Sequence, residues 1–291
     1  MIGDSVYYVD SGGSSPGGVV RRVTAVGTNE YSFTQADDLA VLTFAISADE
    51  AHIAWANSLW DVSGNQCELW VANLDGSDAQ LVAAASPSDD LEDYYVLEPV
   101  TWLPDGRLVY AWQISGIGGY VLFFGYSSLY AFDPATGVSM PLAPLSPETG
   151  APCWNSLSPD GVFAVGTCGP SHAMIERNLT SGADTVFPPF PDQGQAGAGS
   201  YSPSDARLAY AIARSNPEDE AGQVIVRLHP GEAPVSIAGQ APGYFDPILW
   251  VDDERLVVGY WQGDESRVDL LHLDGIRSPI GVRSLVGLMW P

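Results

Sequence analysis

Apolar and polar positions along this chain fall into two recurring arrangements. Five stretches, FAISADEAHIAWAN (44–57), VTWLPDGRLVYAWQ (100–113), NSLSPDGVFAVGTC (155–168), GSYSPSDARLAYAI (199–212) and ILWVDDERLVVGYW (248–261), each read as an apolar run, a turn of Pro, Asp and Gly type, and a second apolar run. The turn aspartates Asp49, Asp105, Asp160, Asp205 and Asp253 are spaced 56, 55, 45 and 48 residues apart. That spacing fits one four-stranded propeller blade with variable loops. A second motif follows each first one: CELWVANLDGSDAQLV, SLYAFDPATGVSMPLA, AMIERNLTSGADTVFP, QVIVRLHPGEAPVSIA and VDLLHLDGIRSPIGV. Each is a strand, a turn containing Gly or Pro, and another strand. Two hairpins per repeat make four strands, a to d.

A sixth copy is split between the chain ends. GDSVYYVDSGG and VVRRVTAVGTNEYSFT supply strands b, c and d, and the C-terminal SLVGLMWP (284–291) reads as the missing strand a. The expected fold is all-β: a six-bladed propeller closed by the last strand, which removes exposed blade edges. The expected blades are 284–291 plus 1–35, then about 38–85, 95–145, 151–190, 196–239 and 244–283. The b strands fit this arrangement. Small or modest residues Ala56, Ala111, Gly166, Ala211, Gly259 and Val9 follow larger Trp55, Tyr110, Val165, Tyr210, Val258 and Tyr8. A strand apolar on both faces is one covered on both faces.

The SPDG and LPDG turns before an apolar strand, together with ELWVANLDGSDAQLV, resemble the Tol-B-type WD40-like propeller repeat across essentially the whole chain. The resemblance implies a six-bladed propeller that often lies outside the cytoplasm and binds other proteins. The repeats run from end to end, so neither the N-terminal domain of the periplasmic Tol-B protein nor the hydrolase domain of prolyl oligopeptidases is expected.

Composition narrows the partners. The formal charge is −25, from 36 acidic residues against 11 basic ones, all Arg. Such a chain repels phosphate backbones and anionic membranes. No apolar stretch reaches the roughly 18 residues of a membrane span, and MIGDSVYYVD lacks the pattern of a signal peptide. Acidic loops can supply the hard oxygen ligands calcium takes. Asp89, Asp90 and Asp93 in SPSDDLEDYY, and Glu218, Asp219 and Glu220 in SNPEDEAG, are the candidates. Neither run has the spacing of an EF-hand loop, and solvated surface is the plainer reading.

Catalytic signatures are missing. GYSSLY and GPSHAM do not match the nucleophile elbow G-x-S-x-G, and His52, His172, His229 and His272 do not pair at metal-ligand spacing. Asn178-Leu179-Thr180 matches a glycosylation acceptor, a match expected by chance. Cys153 and Cys168 lie equally far from a two-residue turn at Asp160-Gly161 and would face each other across the hairpin. A disulfide there, leaving Cys67 over, implies an oxidising compartment; two buried thiols are the alternative.

The connection between the b and c strands of the third blade, QISGIGGYVLFFGYSS (113–128), carries Ile114, Ile117, Tyr120, Val121, Leu122, Phe123, Phe124 and Tyr126 among glycines. Either the strands run longer here and the rings fold back, or this is an exposed ridge that docks a partner or another copy. The expected function is a non-enzymatic protein-binding or assembly scaffold, outside the cytoplasm (periplasmic or secreted), with no cofactor. The alternative is a propeller enzyme of the lactonase or glycan-cleaving kind, with acidic channel residues and calcium.

Overall fold

A computed structural model describes residues 6–10, 19–24, 27–31, 40–61, 64–85, 95–114, 125–126, 128–143, 154–167, 173–187, 195–205, 207–213, 221–228, 235–242, 245–262 and 265–281. Every described element is a strand, as the β-branched and aromatic runs dictate. The chain divides into two units.

The first unit holds three antiparallel sheets. One is three-stranded among the described residues, in the order β1 (Val6–Asp10), β2 (Val19–Thr24), β3 (Gly27–Tyr31). The next runs β4 (Ala40–Ile46), β5 (His52–Asp61), β6 (Gly64–Asn73), β7 (Gln80–Ala85). The third runs β8 (Tyr95–Trp102), β9 (Leu108–Ile114), β10 (Ser128–Asp133), β11 (Val138–Ala143).

The second unit holds three four-stranded sheets of the same up-and-down order. They are β12 (Trp154–Leu157) to β15 (Asp184–Phe187) through β13 (Phe163–Thr167) and β14 (Met174–Asn178); β16 (Gln195–Tyr201) to β19 (Val235–Pro242) through β17 (Arg207–Ala213) and β18 (Ala221–Leu228); and β20 (Phe245–Asp252) to β23 (Arg277–Gly281) through β21 (Arg255–Gln262) and β22 (Glu265–His272).

The second strand of each four-stranded sheet is the core. Residues 53–57, 108–111, 164–167, 208–212 and 256–259 are buried without interruption. The large and small residues seen in the sequence explain how sheets pack. On one face of β4–β7, Ala45, Ala54, Ala56 and Leu69 receive Leu97, Trp102, Leu108 and Tyr110 of the next sheet. In the second unit, Ala209, Ala211 and Val224 receive Ile248, Trp250 and Val258 in the same way. Two indoles then fix the spacing. Trp102 Nε1 donates to the Ala45 carbonyl (3.2 Å), and Trp250 Nε1 donates to the Ser200 carbonyl (2.9 Å). Buried hydrogen bonds from Thr167 Oγ1 to the Ala196 carbonyl (2.7 Å) and from the Tyr201 hydroxyl to Glu176 Oε1 (3.0 Å) tie β12–β15 to β16–β19. The outermost strands β11, β19 and β23 carry Pro141, Pro242 and Pro279, which lack the N–H that would recruit another strand.

The hairpin turns reuse one device. Ser47 Oγ donates to Asp49 Oδ1 (2.6 Å), which accepts the Ala51 N–H (3.0 Å). Ser158, Asp160 and Val162 repeat this at 2.6 and 2.9 Å. The next position is left-handed: Gly106 and Gly161 have φ of 85° and 71°, and Glu50 and Asp205 adopt 54° and 61°. Two of the expected turn aspartates are therefore displaced. Asp205 holds the left-handed place, and Ser204 stands where the carboxylate belongs. The carboxylate comes from the neighbouring sheet, with Ser204 Oγ donating to Asp253 Oδ1 (2.7 Å) and the Arg207 guanidinium to the Asp253 carbonyl. In the last sheet Asp252, not Asp253, closes the turn, accepting the Glu254 N–H (2.9 Å) and Arg255 Nε (2.7 Å).

These turns set an acid response. The Ser47 hydroxyl, then the Ala51 N–H, hold the Asp49 carboxyl below its ordinary value of 3.8; Arg107 does the same to Asp105. A carboxyl depressed in the folded state adds stability above its unfolded value and loses it as pH falls through the folded one. Between pH 7 and about 4, protonation of the ordinary carboxylates instead relieves the self-repulsion of a chain at −25. Urea midpoints should hold or rise down to about pH 4 and fall below it. Asp49→Ala should make the low-pH fall shallower; an unchanged profile would remove this turn from the cause.

Candidate functional site

Polar groups interrupt the apolar faces of the first unit, among them Thr43, whose buried Oγ1 has no hydrogen-bond partner, and Asn57. Asn57 lies on β5 with 0% exposure, and neither its Oδ1 nor its Nδ2 has a hydrogen-bond partner. It pairs across the ladder with Val41 on β4 and Glu68 on β6. Successive strand residues alternate faces, so Asn57 shares its face with Trp55. Directly across from Trp55 is Trp70, and the two rings stack at 6.4 Å and 13°. Trp70 Nε1 donates to Glu68 Oε2 at 2.9 Å. The group thus combines a carboxamide, a carboxylate and an indole wall. It can offer the two N–H donors of one amide and several acceptors to a small neutral molecule. Arg22 on β2 pairs with Glu50 at 2.7 Å in the adjoining turn, linking the three-stranded sheet to this one.

A second feature recurs in both units. Each of the five ladders between first and second strands shifts register: between Val41 and Thr43, Pro99 and Thr101, Trp154 and Ser156, Gly197 and Ser200, and Phe245 and Ile248. Such bulges bend a strand and re-aim its side chains. Around the bulge in β16, Ala198 takes a left-handed φ of 53° and the Gly199 N–H reaches Asn155 Oδ1 of β12 at 3.4 Å.

The residues singled out from sequence fall unevenly on this frame. Ile114 is the last residue of β9, opposite Tyr95, so the strand extends into the apolar connection. Ile117, Tyr120, Val121, Leu122, Phe123 and Phe124 lie outside the described residues. Tyr126 is described: its N–H donates to the Trp154 carbonyl (2.6 Å), and the Trp154 N–H donates back (3.2 Å). Trp154 is 1% exposed and lies under the Arg177 guanidinium, 5.3 Å from its ring, which Asp184 grips at 2.7 and 2.9 Å. Asp184 raises the Arg177 pKa. In the preceding sheet, β5 and β6 stay paired out to Asp61 and Gly64.

Asp89, Asp90, Asp93, Glu218, Asp219, Glu220, His172 and His229 lie outside the described residues. His52 packs its ring against Trp102 at 5.7 Å, and the His272 N–H closes a turn on Ile276. Among the described residues no three His, Cys, Asp or Glu are placed to hold a metal. Cys153 and Cys168 also lie outside. The turn between β12 and β13 spans more than two residues, with the Ser158 N–H donating to the Phe163 carbonyl. Ser156 faces Val165, as a hairpin centred at Asp160-Gly161 requires, but the bulge then sets Trp154 against Gly166 rather than Thr167. Simple counting from the turn therefore does not carry to the cysteines. Cys67 is buried in the core.

Asn57 was not among the residues singled out. The signal was available in part: of the equivalent b-strand positions Asp10, Trp112, Thr167, Ile212 and Tyr260, three hold large apolar or aromatic residues.

No protein-family model matches the chain, and no curated protein matches it. Solved structures do. TolB from Acinetobacter baumannii superposes with a TM-score of 0.58 at 13% identity, over 95% of this chain and 63% of that one. A structure from a study of two prolyl endopeptidases matches with a TM-score of 0.60 at 15% identity, over 98% of this chain and 42% of that one. Oligogalacturonate lyase from Vibrio parahaemolyticus matches with a TM-score of 0.55 at 12% identity, over 96% and 72%. The chain thus spans less than two thirds of the first two. These likenesses are of fold: a TolB-like β-propeller architecture, shared by TolB and by enzymes.

Proposed function

We propose that this protein is a non-enzymatic protein-binding or assembly scaffold, a closed six-bladed propeller working outside the cytoplasm. The observation that carries the reading is the mounting of the apolar connection 113–128. Its start continues β9 to Ile114, and its end is bridged through Tyr126 to Trp154, a buried ring held under Arg177. An apolar segment whose flanking residues are already paired loses less entropy on docking than one with unpaired flanks. Strong negative charge elsewhere keeps the unbound protein soluble. Closure is supported by the sheet count: β1–β3 has three described strands where every other sheet has four, and SLVGLMWP is the segment proposed to complete it. The proposed compartment follows the TolB-like fold, and a disulfide between Cys153 and Cys168 is part of the same proposal.

The test is Phe123→Ser combined with Phe124→Ser. Partner capture, or self-association followed by light scattering, should weaken at least tenfold while the melting temperature moves by no more than about 2 °C, as for a surface change. A drop of about 8 °C or more would place these rings in the core and remove the interface. An enzyme of the lactonase or glycan-cleaving kind, using acidic residues and calcium, is the competing reading; a stoichiometric metal found by mass spectrometry would favour it.

A further inference from the structure

The carboxamide of Asn57 has a need that no group among the described residues meets. It is 0% exposed, and both of its polar atoms lack a partner. Exchanging the nitrogen and oxygen does not help, since neither position is bonded. Buried amides are almost always hydrogen-bonded to protein or to ordered water. The surroundings choose the ligand. Glu68, the direct cross-strand neighbour, gives one oxygen to Trp70 Nε1 and leaves Oε1 to accept. Directly opposed side chains stand about 4.5–5.5 Å apart at Cβ, so the amide and the carboxylate can reach one shared small molecule. The carboxylate disfavours an anion. One carboxylate and one amide oxygen fall short of the six to eight ligands calcium takes. The stacked rings of Trp55 and Trp70 form the apolar flank. These groups suit a small neutral molecule with both donor and acceptor.

We infer that Asn57 and Glu68 form an internal hydration site, in which one long-lived water accepts from Asn57 Nδ2 and donates to Glu68. The site sits on the face of β4–β7 that Trp55 and Trp70 share. Among the equivalent positions Asp10, Trp112, Thr167, Ile212 and Tyr260, Thr167 also makes a polar contact, to the Ala196 carbonyl.

Two measurements on the full chain test this. A crystal structure at about 1.5 Å should show a single ordered oxygen within hydrogen-bond distance of Asn57 Nδ2 and a Glu68 carboxylate oxygen. Finding no such oxygen, or finding the amide bonded to another side chain, overturns the inference. Oxygen-17 magnetic relaxation dispersion of the native protein and Asn57→Leu should differ by one water of long residence; equal counts overturn it. If Asn57→Leu does not fold, the crystal structure of the native chain decides alone.

Discussion

Replacing Trp250 by alanine should be among the most damaging single changes in this protein, lowering unfolding free energy by about 3–5 kcal/mol. The indole is 0% exposed and fills the space over Ala209 and Ala211 of the preceding sheet. Alanine against alanine cannot close that gap, because both backbones are held in their own ladders. The Ser200 carbonyl also loses the indole's part-buried hydrogen bond, and a typical hydrogen bond contributes about 0.5–1.5 kcal/mol. At roughly 2–4 °C per kcal/mol for a chain of this size, the melting temperature should fall by about 10 °C. Trp250→Phe separates the two effects: it restores most of the packing but not the hydrogen bond, and should fall between alanine and native. Equal melting of the alanine variant and native protein would mean that these two sheets are not held together by this ring.

The second large effect lies at the bulge of β16, where adjacent residues should respond with opposite sign. A Cβ at Gly199 would stand 2.7 Å from Met174 Cε and 2.9 Å from Val165 Cγ1. The methionine terminus can swing away. Val165 cannot, being buried in the middle of β13 with a stiff side chain. Gly199→Ala should therefore cost about 1–3 kcal/mol through overpacking. One residue earlier, Ala198 is held at a left-handed φ of 53°, a conformation that costs an L-residue about 1–2 kcal/mol. Ala198→Gly removes that penalty at the expense of chain entropy, and should leave stability unchanged or raise it by up to about 1 kcal/mol. Chemical denaturation of both variants checks the pair. A destabilised Ala198→Gly would show that the methyl group contributes more by packing than the backbone loses by strain.

Much of the frame is legible in the sequence because two periodicities coincide. The apolar runs mark strands, and the alternation of large and small residues along b strands marks which face takes which neighbour. Trp55 before Ala56 and Tyr110 before Ala111 already contain the packing rule later seen between Trp102 and Ala54 or Ala56. The hairpin turns are legible where Ser, Asp and Gly stand in order, as at Ser158, Asp160 and Gly161. They mislead where a residue is borrowed: nothing local to SPSD tells that Asp253, from another sheet, supplies the carboxylate to Ser204. Register shifts are equally silent, since an extra residue such as Leu42 or Asn155 looks like any other strand residue. Counting from the turn therefore fails at Trp154. Candidate function is the least legible part. Asn57 matters only because its neighbours deny it a partner, a fact of three-dimensional packing, and the acidic runs around Asp89 and Glu218 carry composition without geometry.

The unlike faces of sheets such as β4–β7 have a consequence for misassembly. A sheet with a bulky face and a small-residue face is a polar unit: it docks head to tail, never face to matching face. Such heterologous contacts need no particular stopping point and extend through as many copies as are offered. Any event that uncovers the Ala54 and Ala56 face in one molecule, and the Trp102 face in another, therefore presents two surfaces already shaped for each other. The resulting aggregate would not be amorphous. It would be an exchanged, ordered array in which native sheet contacts pass between chains. It would be nucleated at low occupancy of the opened state, and it would be slow to reverse because every contact in it is one the folded monomer already prefers.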